Sequence, residues 1–152
     1  MAKAFTSEFS ITKVMANLLN ALYRFSQAHN FKKPNDGTAL ELMNAAARHV
    51  MTDLRPEIIL AFGESDEYSF LLRKSCILYK RRQSKIVTHI VSLFTSAYVY
   101  NWSKYFESEG KELKYPPSFD GRLVVYPGEK EVRDYFAWRQ VDSESFVSDN
   151  LF

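Results

Sequence analysis

Two short apolar runs separated by five residues constrain this chain more than anything else in it. Ile58-Ile59-Leu60-Ala61-Phe62 and Tyr68-Ser69-Phe70-Leu71-Leu72 are rich in β-branched and aromatic residues, with Gly63-Glu64-Ser65-Asp66-Glu67 between them. Such runs, joined by a polar turn that opens on glycine, read as a β-hairpin. Three carboxylates then crowd its tip. Strand alternation predicts Glu64 and Asp66 on one face, Ser65 and Glu67 on the other. Their mutual repulsion is relieved by a hard cation such as Mg²⁺, which takes oxygen ligands, and phosphoryl-transfer enzymes commonly use two such ions. A solvated acidic turn is the competing reading.

The rest of the chain supplies mainly helices. Val14, Leu18 and Leu22 recur at helical spacing and predict a short helix from Val14 to Tyr23. Gln27 to Gly37, with Pro34-Asn35-Asp36-Gly37, is turn chemistry. Within it Lys33 and Asp36 flank the turn, Asp36 being placed to help cap the next helix. Thr38-Ala39-Leu40-Glu41 matches a capping box, so a helix should run from there to about Thr52, with Leu40, Met43, Ala47 and Val50 inward. A long helical pattern spans Leu78 to Phe106, with Ile86, Ile90, Leu93, Ala97 and Asn101 in one stripe and Phe94 and Tyr98 beside it. Glu107 to Pro117 reads as a loop, Leu123 to Tyr126 as a strand, and Glu129 to Arg139 as a last helix; Asp142 to Phe152 lacks periodicity and is expected to be loose.

Arg82, Lys85 and His89 fall at i, i+3 and i+7 of the long helix and are expected to share a face. An Arg fork and a Lys point charge there suit phosphate, although a solvated cationic face has the same pattern. Cations at a helix start oppose the macrodipole at about 0.3–1 kcal/mol each, which a nearby anion would offset. Net charge is only +2, so a nucleic-acid partner has to be argued from such local clusters. Cys76 is the single cysteine, which excludes an intrachain disulfide and a thiolate zinc cluster. His29 and His49 stand at no metal-ligand spacing and read as structural or exposed. No apolar run approaches the ~20 residues of a membrane span. No Gly-rich phosphate loop and no Ser elbow is present.

Several longer motifs resemble one family. They are His29-Asn30-Phe31-Lys32-Lys33-Pro34-Asn35-Asp36, Phe62-Gly63-Glu64-Ser65-Asp66-Glu67-Tyr68-Ser69-Phe70, Lys80-Arg81-Arg82-Gln83-Ser84-Lys85 with Thr88-His89, Tyr115-Pro116-Pro117-Ser118-Phe119-Asp120-Gly121-Arg122, and Trp138-Arg139-Gln140. Their order and spacing resemble the tRNA-histidine guanylyltransferases. The resemblance covers residues 24–142, leaving 1–23 and 143–152 as non-matching ends.

The resemblance implies an α+β fold, a palm-like antiparallel sheet backed by helices. It implies a nucleotidyltransferase that adds a guanylate from GTP to the 5′ end of tRNA-His, with ATP or GTP activating the 5′ phosphate and two Mg²⁺ ions in support. Asp66 would be the metal-binding catalytic carboxylate, with Glu67 a second candidate. Ser65, Asp66, Lys33, Arg82 and Lys85 would contact nucleotide or tRNA phosphates. A homo-oligomer, dimer or tetramer, and a cytoplasmic or nuclear location are implied, without membrane attachment or organelle import. The Lys33-Pro34-Asn35-Asp36 and Tyr115-Pro116-Pro117 motifs argue against another palm enzyme such as a nucleotidyl cyclase.

The chain departs from the family pattern at both ends. An Asp-Gly-Arg or Asp-Gly-Lys segment, whose Asp bridges both metals, precedes the Arg24-Phe25 region in the family. Here that stretch is Ala16-Asn17-Leu18-Leu19-Asn20-Ala21-Leu22-Tyr23, without carboxylate or glycine. A His-Ile-Asn-Asn-Leu-Tyr-Asn segment is likewise replaced by Ser143-Glu144-Ser145-Phe146-Val147-Ser148. The expectation is a sheet short of its first central strand, as in an alternative splice product or gene-model error. Turnover should then be weak or absent, the alternative function being binding of nucleotide or tRNA only.

Overall fold

The structure, a computed structural model, describes residues 9–16 and 19–149, with side chains over 9–15 and 23–141. Four antiparallel strands, β1 (Phe9–Ala16), β2 (Ile58–Glu64), β3 (Glu67–Leu72) and β4 (Phe119–Tyr126), form one sheet in the order β2-β3-β1-β4. The helices are α1 (Leu19–Ala28), α2 (Gly37–Asp53), α3 (Gln83–Phe106) and α4 (Glu129–Asp149). The α+β class and the helix-backed antiparallel sheet are as expected from the sequence.

The central strand is not missing. Phe9–Ala16 lies between β3 and β4, with Ile11 opposite Leu71 on one side and Val124 on the other. The segment Phe9-Ser10-Ile11-Thr12-Lys13-Val14 holds three β-branched residues in six, which suits a strand. The helical spacing of Val14, Leu18 and Leu22 obscured it: Val14 belongs to the strand, and a helix begins only at Leu19. The expectation for Leu18 lies outside the described residues.

The pleat sends successive side chains to opposite faces. Val14, Tyr68, Phe70, Leu72 and Leu123 face α2 and α3, where they meet Leu42, Met43, Ala46, Val50, Ile86, Ile90 and Phe94 in the main core. Ile11 and Leu71 face the other way and pack with Val132, Tyr135 and Phe136 of α4. Ser10 and Thr12 share the main-core face with Val14. Both are fully buried, and neither hydroxyl has a hydrogen-bond partner among the described residues.

Several boundaries differ from the sequence reading, among them the start of β4, at Phe119 rather than Leu123. Asp36, not Thr38, caps α2, accepting from the Ala39 N–H at 3.1 Å, while Thr38 donates to Glu109 at 2.8 Å. The long helix does not start at Leu78: Tyr79, Lys80 and Arg81 are left-handed, with φ of 51°, 53° and 56°. Arg81 fastens this turn by donating to the carbonyls of Lys74 and Cys76, at 3.1 and 2.9 Å. From Gln83 the buried stripe of α3 is Ile86, Ile90, Phe94, Ala97, Tyr98, Trp102 and Phe106, with Leu93 and Asn101 at its margin. Finally, α4 continues to Asp149, through most of the tail expected to be loose.

Candidate nucleotide site

The hairpin turn is tighter than its five polar residues suggest. Glu64 and Glu67 pair directly across the strands, leaving Ser65-Asp66 as a two-residue loop. Ser65 takes a left-handed φ of 51°, a conformation L-residues adopt at a steric cost and that short hairpins require. Gly63 is needed for close approach: a Cβ there would stand 2.4 Å from the Tyr68 ring. The expected alternation therefore fails at the tip. Glu64 and Glu67 share the α4 face, and Ser65 and Asp66 turn toward a cavity on the other side.

That cavity has a volume of about 430 Å³. Its walls are largely aromatic: Tyr23 and Phe25 from α1, Phe31 from the following loop, Tyr98 from α3, and Tyr115 and Phe119 flanking Pro116-Pro117. Edge-to-face contacts fix the walls, with Phe25 and Tyr115 centroids 5.4 Å apart at 86° and Tyr98 and Phe119 5.4 Å apart at 65°. The polar lining is Lys32, Lys33, Asn35, Asp36, Ser65 and Asp66 with Ser26 and Ser118. Lys33 donates to Ser26 Oγ at 3.2 Å, and its ammonium stands 5.6 Å over the Tyr23 ring.

Two buried polar residues hold the loops that frame the cavity. Asp36, 4% exposed, accepts from the N–H groups of Lys32 and Ala39 and pairs with Lys111 at 3.3 Å. Burial pushes its carboxyl up, but these hydrogen bonds and Lys111 outweigh that and hold it below the usual carboxylate range. His29 accepts the Lys114 N–H on Nε2 at 3.0 Å, so its Nδ1–H donates to the Phe25 carbonyl at 2.8 Å. Burial lowers its pKa below the ordinary value, against the Phe25 bond. His29 is thus a structural histidine, as read from its isolation.

The sequence-derived candidates divide into three places. Lys33, Ser65 and Asp66 converge on the cavity. Glu67 does not: it pairs with Lys13 at 2.6 Å and with Arg139 at 3.0 Å, and Arg139 also holds Glu64 at 2.5 Å. Arg82 and Lys85 lie outside the cavity lining, around the left-handed turn. The Lys85 ammonium is 5.7 Å over the Tyr79 ring, Arg82 Nε donates to the Tyr79 carbonyl, and Tyr79 hydroxyl bonds His89 Nδ1 at 2.7 Å. The aromatic wall was not among the candidates, although its Tyr115-Pro116-Pro117 segment was singled out as a motif.

Asp66 is half-buried. Its pKa is raised, first by desolvation and further by Glu67, with Lys13 and Arg139 opposing. Among the described residues it is the hairpin acid without an ion-pair partner. No group of three His, Cys, Asp or Glu side chains among them converges on one point. Of the two carboxylates in the lining, Asp36 is taken up by Lys111 and the α2 cap, which leaves Asp66 to face Mg²⁺ and does not fit a two-ion cluster.

A sequence model of the tRNAHis guanylyltransferase family matches residues 20–127, most of the chain. The chain belongs to this family. It is 56% identical over 120 residues to the tRNA(His) guanylyltransferase of Schizosaccharomyces pombe, covering 79% of this chain and 44% of that one. It is 50% identical over 120 residues to the probable tRNA(His) guanylyltransferase of Homo sapiens, covering 79% and 39%. The crystal structure of the Saccharomyces cerevisiae tRNA(His) guanylyltransferase superposes with a TM-score of 0.86 at 40% identity, over 93% of this chain and 61% of that one. A bacterial tRNA(His) guanylyltransferase-like protein in complex with GTP shares the fold, with a TM-score of 0.80 at 22% identity, over 99% and 71%. This guanylyltransferase-family chain spans about half the length of the curated relatives it matches.

Proposed function

We propose that the chain is a tRNA(His) guanylyltransferase in which the aromatic cavity takes a purine nucleoside triphosphate for guanylate transfer to the tRNA 5′ end. The observation that carries this reading is the convergence of Lys33, Ser65 and Asp66 on one aromatic-walled cavity. A volume of about 430 Å³ suits a nucleoside. Aromatic faces give a base a stacking surface of about 1–3 kcal/mol, and Lys33 and Lys32 at the rim supply charge for phosphates. Identities near one half to relatives named as guanylyltransferases favour transfer over a binding-only role.

In this reading Lys33 neutralises a phosphate, Ser65 donates or accepts a hydrogen bond beside it, and Asp66 presents the negative charge that faces a ligand-borne cation. Phosphoryl transfer depends mainly on such positioning and charge neutralisation. Turnover by this chain is expected to be below that of its longer relatives, because the other carboxylate lining the cavity, Asp36, is already paired with Lys111 and capping α2. tRNA is the second substrate, its backbone meeting the cations Arg82 and Lys85 outside the cavity. The dimer or tetramer of the family reading would use exposed apolar residues on the edge strands, Ile59 and Leu60 on β2 and Val124 on β4. No described helix is long and apolar enough to cross a membrane.

Asp66→Asn tests the assignment. GTP titrated calorimetrically with Mg²⁺ should bind the variant at least about tenfold more weakly, a loss of about 1.4 kcal/mol, and without Mg²⁺ about equally. The empty variant should be more stable at neutral pH. A raised folded pKa means the native state holds its proton more tightly, so stability is lost as pH rises above the ordinary 3.8. Asn removes that loss, and the gain should vanish in acid. Equal Mg²⁺-dependent affinity in the two proteins would remove Asp66 from the site.

A further inference from the structure

We propose that Arg139 is a positioning residue for Asp66, acting from the opposite face of the sheet. The inference rests on reading Asp66 as the carboxylate that faces the ligand, as proposed above.

The argument begins with register. Glu64 and Glu67 are the last and first residues of the two strands, directly opposite across a two-residue turn. Like charges in that relation repel and push the strands apart. Water screens them little, since their side chains are only 18% and 12% exposed. With two residues between the strand ends, any widening passes straight into Ser65, already left-handed, and into Asp66.

One nitrogen spans both acids and opposes the widening. Arg139 Nη2 lies 2.5 Å from Glu64 and 3.0 Å from Glu67, bridging both strand ends beneath the turn. Lys13 of β1 holds Glu67 at 2.6 Å, and no ion pair joins it to Glu64 among the described residues. Arg139 is in turn seated by α4. Phe136 packs on Phe62 of β2 at 5.9 Å, Tyr135 hydroxyl bonds Ser69 Oγ of β3 at 2.7 Å, and Val132 packs with Ile11 and Leu71. The docking of α4 on one face thereby sets where a carboxylate sits on the other.

Arg139→Lys separates positioning from anchoring, because it keeps a cation on α4 but puts it on a flexible stem one bond shorter than the one that carries Nη2 to both acids. Backbone ¹⁵N relaxation on the full chain is the readout. Order parameters of Ser65 and Asp66 should fall from the rigid range near 0.85 to below about 0.6, while those around Val132 and Tyr135 stay rigid. Adding Glu64→Gln to Arg139→Lys removes the repulsion and should restore order to the turn. The proposal is overturned if the turn stays rigid in Arg139→Lys, if turn and α4 loosen together, or if the double variant leaves the turn disordered. Should Arg139→Lys not fold, Glu64→Gln/Arg139→Gln decides by the same test: an ordered turn supports the repulsion argument, a disordered one ends it. Mg²⁺-dependent GTP titration runs alongside. A wild-type chain that takes no GTP removes the nucleotide reading, whereas the relaxation data still decide what Arg139 does.

Discussion

Adding one methyl group at Gly121 should push α3 off the sheet. Gly121 lies on β4 opposite Val14, and a Cβ there would meet Val91 Cγ2 at 2.2 Å and Val87 Cγ1 at 3.0 Å. Ordinary carbon contacts begin near 3.5 Å, so the two elements must separate by on the order of 1 Å. Rotation of Val91 does not relieve the clash, because a β-branched side chain in a helix has essentially one χ1 well. The helix itself has to move, and Ile86, Ile90 and Phe94 move with it away from a fully buried core. Overpacking of this kind costs about 1–3 kcal/mol. Gly121→Ala should therefore lower the urea midpoint by that amount divided by an unchanged m value. Val91→Ala alone should also destabilise, by loss of buried methyls. The double variant Gly121→Ala/Val91→Ala should recover at least about 1 kcal/mol relative to the sum of the singles, since the new methyl fills the vacated space. Strict additivity, or a Gly121→Ala protein as stable as wild type, would refute the close-approach argument.

Two other residues give sharp expectations by the same assay. Asp36→Ala removes the α2 cap and leaves Lys111 without its buried partner; a loss of about 2–4 kcal/mol is expected at neutral pH. Because the folded pKa of Asp36 is lowered, its contribution is present above the ordinary 3.8 and disappears as pH falls below it, so wild type and variant should converge in acid. His29, also with a lowered folded pKa, contributes stability that is present above 6.5 and lost as pH falls below it; His29→Gln should flatten that part of the urea-midpoint profile.

The parts of the fold visible in the sequence were those whose local chemistry and tertiary setting agree. The hairpin declared itself because both strands are apolar and the turn is polar, and α2 because turn residues precede an amphipathic run. The cap of α2 shifted from Thr38 to Asp36 because Asp36 also accepts from Lys32 and pairs with Lys111, bonds that only the folded loop brings together. β1 was hidden because its identity as a strand comes from the partners Leu71 and Val124, both far along the chain. The left-handed turn at Tyr79 to Arg81 was invisible, since none of the three is Gly or Asn. At the site, Lys33, Ser65 and Asp66 were readable as motif residues. What separated Glu67 from its neighbour Asp66 was a two-residue turn and two cations, Lys13 and Arg139, remote in sequence. The aromatic wall escaped because periodicity sets Tyr98 beside the core stripe of the long helix and says nothing of the space it borders.

The position of β1 also dictates an order of events at the ribosome. Phe9–Ala16 emerges early, yet one neighbour, β3, ends at Leu72 and the other, β4, closes only at Tyr126. At elongation rates of about 5–20 residues per second, the strand waits on the order of ten seconds for its second partner. Throughout that interval the strand has at least one hydrogen-bonding edge available to other nascent chains, so yield in the cell should depend on holdase chaperones more than the finished sheet's stability would suggest.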